Sequence, residues 1–159
     1  MGVSGCGKSS VGQALADRLG VAFIDGDDLH PKSNIDKMSR GEPLTDADRA
    51  PWLKLVGMAL AEAPEPASIG CSALKRVYRD TIREAAGAPV AFIHLHAEKS
   101  VLEERVSQRE GHFMPTGLLD SQFDALEMLE ADELGRVVSI DQPLENVVAE
   151  AQAYLVEGS

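Results

Sequence analysis

Gly2-Val3-Ser4-Gly5-Cys6-Gly7-Lys8-Ser9 fits the pattern G-x-x-x-x-G-K-[ST] at every fixed position. The chemistry explains the residue types. Glycines let the backbone curl until successive N–H groups point inward at a phosphate. The helix that follows turns its positive N-terminal end toward the same anion. A lysine at position 8 reaches the β- and γ-phosphates, and the hydroxyl of Ser9 is placed to coordinate Mg²⁺. The stretch therefore predicts a phosphate-binding loop for ATP and Mg²⁺, with Gly2, Val3, Ser4, Gly5, Cys6, Gly7, Lys8, Ser9 and Ser10 as nucleotide-binding residues, Lys8 also acting in catalysis, and Ser9 on the metal. Such a loop follows a buried strand, yet only Met1 precedes Gly2. The expectation is that the first strand is missing from the sequence and that about five to ten residues belong upstream.

Outward from the loop, Val11, Ala14, Leu15 and Leu19 recur at helical spacing over Lys8–Leu19, and Gly20 stops that helix. Val21–Asp25 reads as a short buried strand. A short helix around Ser33–Met38 follows. Thr45 and Asp48 have the spacing of a capping box and open a helix to about Ala63, broken by Pro64 and Pro66. Further strands are expected at Ser68–Cys71, Val90–Leu95 and Val137–Ile140. Further helices are expected at Ala73–Ala86, Glu98–Arg109, Thr116–Leu129 and Leu144–Val156. Strands alternating with helices predict one α/β domain over residues 1–159, a parallel sheet covered on both faces.

Asp25-Gly26-Asp27-Asp28-Leu29-His30-Pro31 leaves the first predicted strand at its carboxyl end, where open α/β sheets bind ligands. Two carboxylates there divide the labour. We assign Asp25 to the metal shell and Asp27 to the attacking hydroxyl. An aspartate has an ordinary pKa near 3.9, far below that of an alcohol, so Asp27 orients the hydroxyl and takes its proton late.

The chain carries 15 Lys and Arg against 26 Asp and Glu, a formal charge of −11. That balance opposes nucleic acid or an anionic membrane as partner. It also means that the cations must gather wherever phosphates sit. No apolar run approaches the roughly 18–20 residues of a membrane span, and the glycine-rich N-terminus is unlike a secretory signal, so the expected location is cytoplasmic. Cys6 and Cys71 make no disulfide framework and read as reduced thiols. His94 and His96 alternate on a predicted strand without a visible third ligand, and read as strand residues. Trp52 reads as core.

Taken with Gly41-Glu42-Pro43-Leu44-Thr45-Asp46, Asp48-Arg49-Ala50-Pro51-Trp52-Leu53, Cys71-Ser72-Ala73-Leu74-Lys75-Arg76-Val77-Tyr78-Arg79-Asp80, Gly111-His112-Phe113-Met114, Ser121-Gln122-Phe123 and Asp141-Gln142-Pro143-Leu144, these stretches resemble the gluconate kinases, small relatives of shikimate and nucleoside monophosphate kinases. The likeness runs in order along nearly the whole chain. It implies a P-loop kinase fold with a helical lid at about 109–130. It also implies ATP- and Mg²⁺-dependent phosphorylation of D-gluconate to 6-phosphogluconate, usually by a homodimer. A kinase for another small hydroxy acid such as shikimate, and an ATP-binding module impaired by the absent strand, remain the alternatives.

Gluconate needs cations for its carboxylate and polar groups for its hydroxyls. Lys75, Arg76, Arg79 and Arg83 form a basic stripe, with Lys75 and Arg79 four apart. Lys75 and Arg79 are candidate substrate residues together with Arg49, His30, Asp27 and His112, the last contacting substrate or packing in the lid. Arg105 and Arg109 lie four apart ahead of the lid. Arg105 is expected on the nucleotide and Arg109 on the transferring group. Asp141, Gln142 and Pro143 follow the last strand, where related kinases wrap the adenine, chiefly by backbone contacts.

Overall fold

The computed structural model describes residues 1–64, 66–108 and 116–157. Among them the strands form two parallel pairs. In the first, β1 (Ala22–Asp25) lies beside β2 (Ala67–Gly70), with Asp25 opposite Gly70. In the second, β3 (Phe92–His96) lies beside β4 (Gly135–Ser139), with Leu95 opposite Val138. The residues leading into the glycine-rich loop touch both pairs. Leu95 N–H donates to Met1 O at 3.0 Å, and Gly2 N–H donates to Ser72 O, just past β2, at 3.1 Å. The expected parallel strands are therefore present, but they do not join into one continuous sheet across the described residues.

Seven α-helices accompany these strands among the described residues: α1 (Lys8–Leu19), α2 (Lys32–Ser39), α3 (Asp46–Glu62), α4 (Arg76–Ala86), α5 (Lys99–Gln108), α6 (Thr116–Ala125) and α7 (Leu144–Glu157). The signals read from sequence account for several ends. Gly20 adopts the left-handed conformation that closes α1 (φ 69°). At α3 the capping box is complete, with Asp48 N–H donating to Thr45 Oγ1 at 3.1 Å and Thr45 N–H to Asp48 Oδ2 at 2.8 Å. The helix starting after Leu74 departs from expectation. It begins at Arg76 rather than Ala73, because Ala73 sits at φ 45° and Lys75 is an extended N-cap. No helix of the described residues is long and apolar enough to cross a membrane.

Burial is deepest on β3, which carries buried side chains on both faces, whereas β1 and β2 are at most half-buried and β4 is exposed apart from Val138 and the half-buried Gly135. One core holds Leu15, Leu95, Leu102, Val138 and Val147 beneath α1 and α7; the other holds Trp52, Leu53, Val56, Tyr78, Ile82 and Phe92 beneath α3 and α4. Phe92 and Leu95 of β3 enter opposite cores, as side chains an odd number apart on a strand must. Each such aliphatic or aromatic side chain contributes about 1.5–3 kcal/mol on burial.

A buried ion pair ties α4 to the segment between α6 and β4. Arg79 and Glu133 side chains are both fully buried, joined by Nε–Oε1 at 2.7 Å and Nη2–Oε2 at 3.0 Å. Arg79 also donates to the carbonyls of Ala73 (3.0 Å), Leu74 (3.3 Å) and Met128 (3.3 Å). Burial alone would push the Glu133 carboxyl up. Hydrogen bonds from Arg79, the Glu130 N–H and Arg83 outweigh it and hold the carboxyl at about 2. Removing one partner strands the other charge, so Glu133→Ala should destabilise the fold by about 3–5 kcal/mol, read as a shift in denaturant midpoint. A loss below about 1 kcal/mol would mean that the pair is solvated.

His94 is also fully buried, and neither ring nitrogen has a hydrogen-bond partner among the described residues. Burial lowers its pKa from 6.5 to about 3. The folded state thus holds a neutral imidazole that the unfolded chain protonates below pH 6.5. Stability should be full above pH 6.5 and fall toward pH 3, by at most about 1.4 kcal/mol per unit. A His94→Leu variant should lose less of its thermal midpoint between pH 6.5 and 4.5 than the parent, with His30 contributing to the decline that remains. Parallel decline of the two would overturn this account.

Candidate active site

The phosphate loop is shaped by its neighbours as well as by its glycines. Val3 and Cys6 are buried and anchor it from below, while Gly7 enters α1 at φ 91°, a left-handed position that a side chain would strain. Among the described residues no side chain caps α1, which leaves its first N–H groups available to an anion. Lys8 folds back over the loop and donates to Gly2 O at 3.1 Å and Val3 O at 3.2 Å. Ser9 and Ser10 are exposed on the first turn of α1.

Beside the loop, a groove of about 400 Å³ is lined by Gly5, Cys6, Gly7 and Ser10 on one wall and by Arg105, Ile140 and Gln142 on the other. The Arg105 guanidinium donates to Ile140 O, and Gln142 Nε2 donates to Ser139 O at 2.8 Å. Of the nucleotide residues expected after the last strand, Gln142 lines this groove. Pro143 instead uses its carbonyl to start α7, accepting from Asn146 and Val147 N–H, and Asp141 N–H is held by Ser139 Oγ.

The acidic segment is held in place by atoms that the sequence did not advertise. Asp25 ends β1 and accepts the Asp27 N–H at 3.0 Å, which winds Gly26–Leu29 into a 3₁₀ turn and leaves Asp27 exposed. Gly26 is forced here, because a Cβ would stand 2.4 Å from Gly70 O on the neighbouring strand. Trp52 belongs to the core as read, yet it also braces the site. Its indole N–H donates to Gly26 O at 2.8 Å, and its ring stacks on His30 at 4.1 Å. Burial keeps His30 below its ordinary value of 6.5, so it stays neutral at pH 7. Asn34 Nδ2 lies 3.3 Å from His30 Nδ1 and donates to Asp48 O at 3.0 Å.

On α3 and just ahead of α4, two of the expected substrate cations converge. Lys75 Nζ lies 3.3 Å from both carboxylate oxygens of Asp46, and Arg49 Nη1 bonds Tyr78 Oη at 3.2 Å. Tyr78 in turn donates to Asp46. The hydrogen bonds from Tyr78 and Lys75 lower the Asp46 carboxyl. Both cations also sit over the Tyr78 ring, each 5.6 Å from its centre.

Arg79 does not join them. The structure corrects its assignment as a substrate residue, since its side chain is fully buried and occupied by Glu133 and three carbonyls. Arg76 and Arg83 turn the same way, toward Asp132 and Glu133. Arg109 and His112 lie outside the described residues, as does the first part of the expected lid. Both cysteines are buried, and burial pushes the Cys71 thiol up to about 11, which suits inert thiols.

Mg²⁺ fits the donors present. It takes one or two protein oxygens and keeps water and phosphate for the rest, and the Ser9 hydroxyl with the second Asp25 oxygen offers such a set. Among the described residues no group of three or more His, Cys, Asp or Glu gathers into a self-sufficient metal cage.

Comparison with known proteins places this site in a family. A family model described as an AAA domain matches residues 1–129. The chain is 47% identical over 163 residues to the thermoresistant gluconokinase of Escherichia coli K12, covering 99% of this chain and 92% of that protein. It is 51% identical over 136 residues to the gluconokinase of Gluconobacter oxydans, covering 84% and 76%. The crystal structure of a gluconokinase from Sinorhizobium meliloti 1021 superposes with a TM-score of 0.91 at 52% identity, covering 99% of this chain and 89% of that one. With a P-loop kinase fold, a complete phosphate loop and identities of this size over nearly its whole length, the chain belongs to the gluconokinase family.

Proposed function

We propose that the protein transfers the terminal phosphoryl group of ATP to a hydroxyl of D-gluconate, giving 6-phospho-D-gluconate and ADP. The observation that carries this reading is the pairing of two subsites. One is the phosphate loop with Lys8 folded over it, and the other is the pair of cations Arg49 and Lys75, gathered on Asp46 and Tyr78. The second subsite offers two cations to a carboxylate, and the exposed Asp27 and neutral His30 suit a chain of hydroxyls.

The chemistry assigned to each residue follows from its place. Asp27 accepts the proton of the attacking hydroxyl as its oxygen bonds to the γ-phosphorus and the bond to the β–γ bridging oxygen breaks. Lys8 and the N–H groups of the loop and of α1 stabilise the charge that moves onto ADP. Arg105 and Gln142 hold the nucleotide from the groove. Ser9 and Asp25 would hold Mg²⁺, which when bound neutralises the β- and γ-phosphate oxygens. Arg109 on the transferring group and His112 on the substrate stay in the proposal on resemblance alone. The homodimer belongs to it on the same footing, and the cytoplasmic location stays in it on the pattern of the sequence.

Coupled ADP release across a panel of sugar acids, shikimate included, tests the substrate. Gluconate should give the highest kcat/KM, and preference for another acid would replace it. Asp27→Asn should lower kcat by about 10²–10⁴, and Lys8→Met by about 10²–10³.

Lys75 and Arg79, which sequence spacing groups on one stripe, should separate on substitution. Lys75→Met should raise the KM for gluconate about tenfold and leave that for ATP within about twofold. Arg79→Met should chiefly lower the thermal midpoint. A gluconate KM that ignores Lys75 would remove it from the subsite.

A further inference from the structure

Gln122 on α6 spends both of its amide atoms on one residue of the phosphate loop, 118 positions away in sequence. Ser4 N–H donates to Gln122 Oε1 at 2.6 Å, and Gln122 Nε2 donates to Ser4 Oγ at 2.9 Å. The orientation is fixed, since a backbone N–H can only donate and the amide oxygen must face it. Gln122 is half-buried, and no other element of the described residues reaches the Ser4 N–H.

Ser4 occupies a particular end of the loop. The groove that takes the nucleotide opens beyond Gly5, Cys6, Gly7 and Ser10, toward Arg105 and Gln142. The Lys8 ammonium lies at the other end, on the carbonyls of Gly2 and Val3, directly before Ser4. A P-loop lysine reaches the β- and γ-phosphates, so Ser4 stands where the terminal phosphate arrives.

We infer that Gln122 is a positioning residue for phosphoryl transfer: through Ser4 it fixes the part of the loop that meets the terminal phosphate. The inference rests on the reading of ATP at this loop. Glutamine suits the task because it is neutral and offers an acceptor and a donor together. An ionised glutamate would keep the acceptor, lose the donor to Ser4 Oγ and set a negative charge beside the phosphate.

Isothermal titration of ADP and of a non-hydrolysable ATP analogue into Gln122→Ala and Gln122→Glu tests this. Both variants should bind ADP within about twofold of the parent, which also shows that they fold. The analogue should weaken about tenfold in the alanine variant and further in the glutamate variant, with kcat for gluconate-dependent ADP release falling in the same order. Equal weakening of both nucleotides would make Gln122 a mere prop for the loop and overturn the inference. So would an unchanged analogue affinity, or a glutamate variant that outperforms alanine. Failure of the parent with gluconate would instead overturn the substrate reading, while the nucleotide titrations still judge Gln122.

Discussion

A fully buried arginine and glutamate must satisfy each other completely or not be buried at all. Arg79 and Glu133 meet that condition, and their geometry propagates outward. Through its remaining N–H groups Arg79 holds the carbonyls of Ala73 and Leu74, the turn by which the chain leaves β2 and enters α4. Through Met128 O and the Glu130 N–H the same pair sets the course of the segment returning from α6. That segment then pairs with β3 where Phe92 N–H donates to Leu134 O. The position of Lys75, just ahead of α4, thus depends on an ion pair that never touches substrate.

The charge balance gives the arrangement its sense. A chain with formal charge −11 that binds two anionic substrates must exempt certain cations from pairing within the protein. Arg76, Arg79 and Arg83 are consumed by Asp132 and Glu133. Lys8 is different: its hydrogen bonds go to neutral carbonyls. Lys75 and Arg49 stand between these extremes, sharing the exposed carboxylate of Asp46, a weakly held partner that a substrate carboxylate can replace.

Local signals were legible in the sequence and long-range ones were not. The phosphate loop, the Thr45–Asp48 box and the stop at Gly20 each depend on residues a few positions apart, and all lie where pattern alone puts them. Grouping Lys75 with Arg79 failed for a physical reason. Four residues share a face only inside a helix, and the left-handed Ala73 delays α4 until Arg76, so Lys75 is not in it. The partner that draws Arg79 inward lies 54 positions on. Trp52 showed only half of its role for the same cause, since its indole partner is Gly26 O on a different element. The resemblance carried the substrate class and the Gln122 segment into view, but the contact to Ser4 is a product of folding.

These long-range contacts share an origin. Gln122 fixes Ser4 from α6, and a few residues later Glu127 N–H donates to Leu74 O while its carboxylate accepts the Arg76 N–H. One continuous stretch, from α6 to Glu133, therefore braces the phosphate loop at its leading end and the start of α4 at the other. Phosphoryl transfer needs its two substrates held in register to a fraction of an ångström. Fastening both subsites to the same short run of chain couples their positions directly, since a shift of that run moves Ser4 and the start of α4 together.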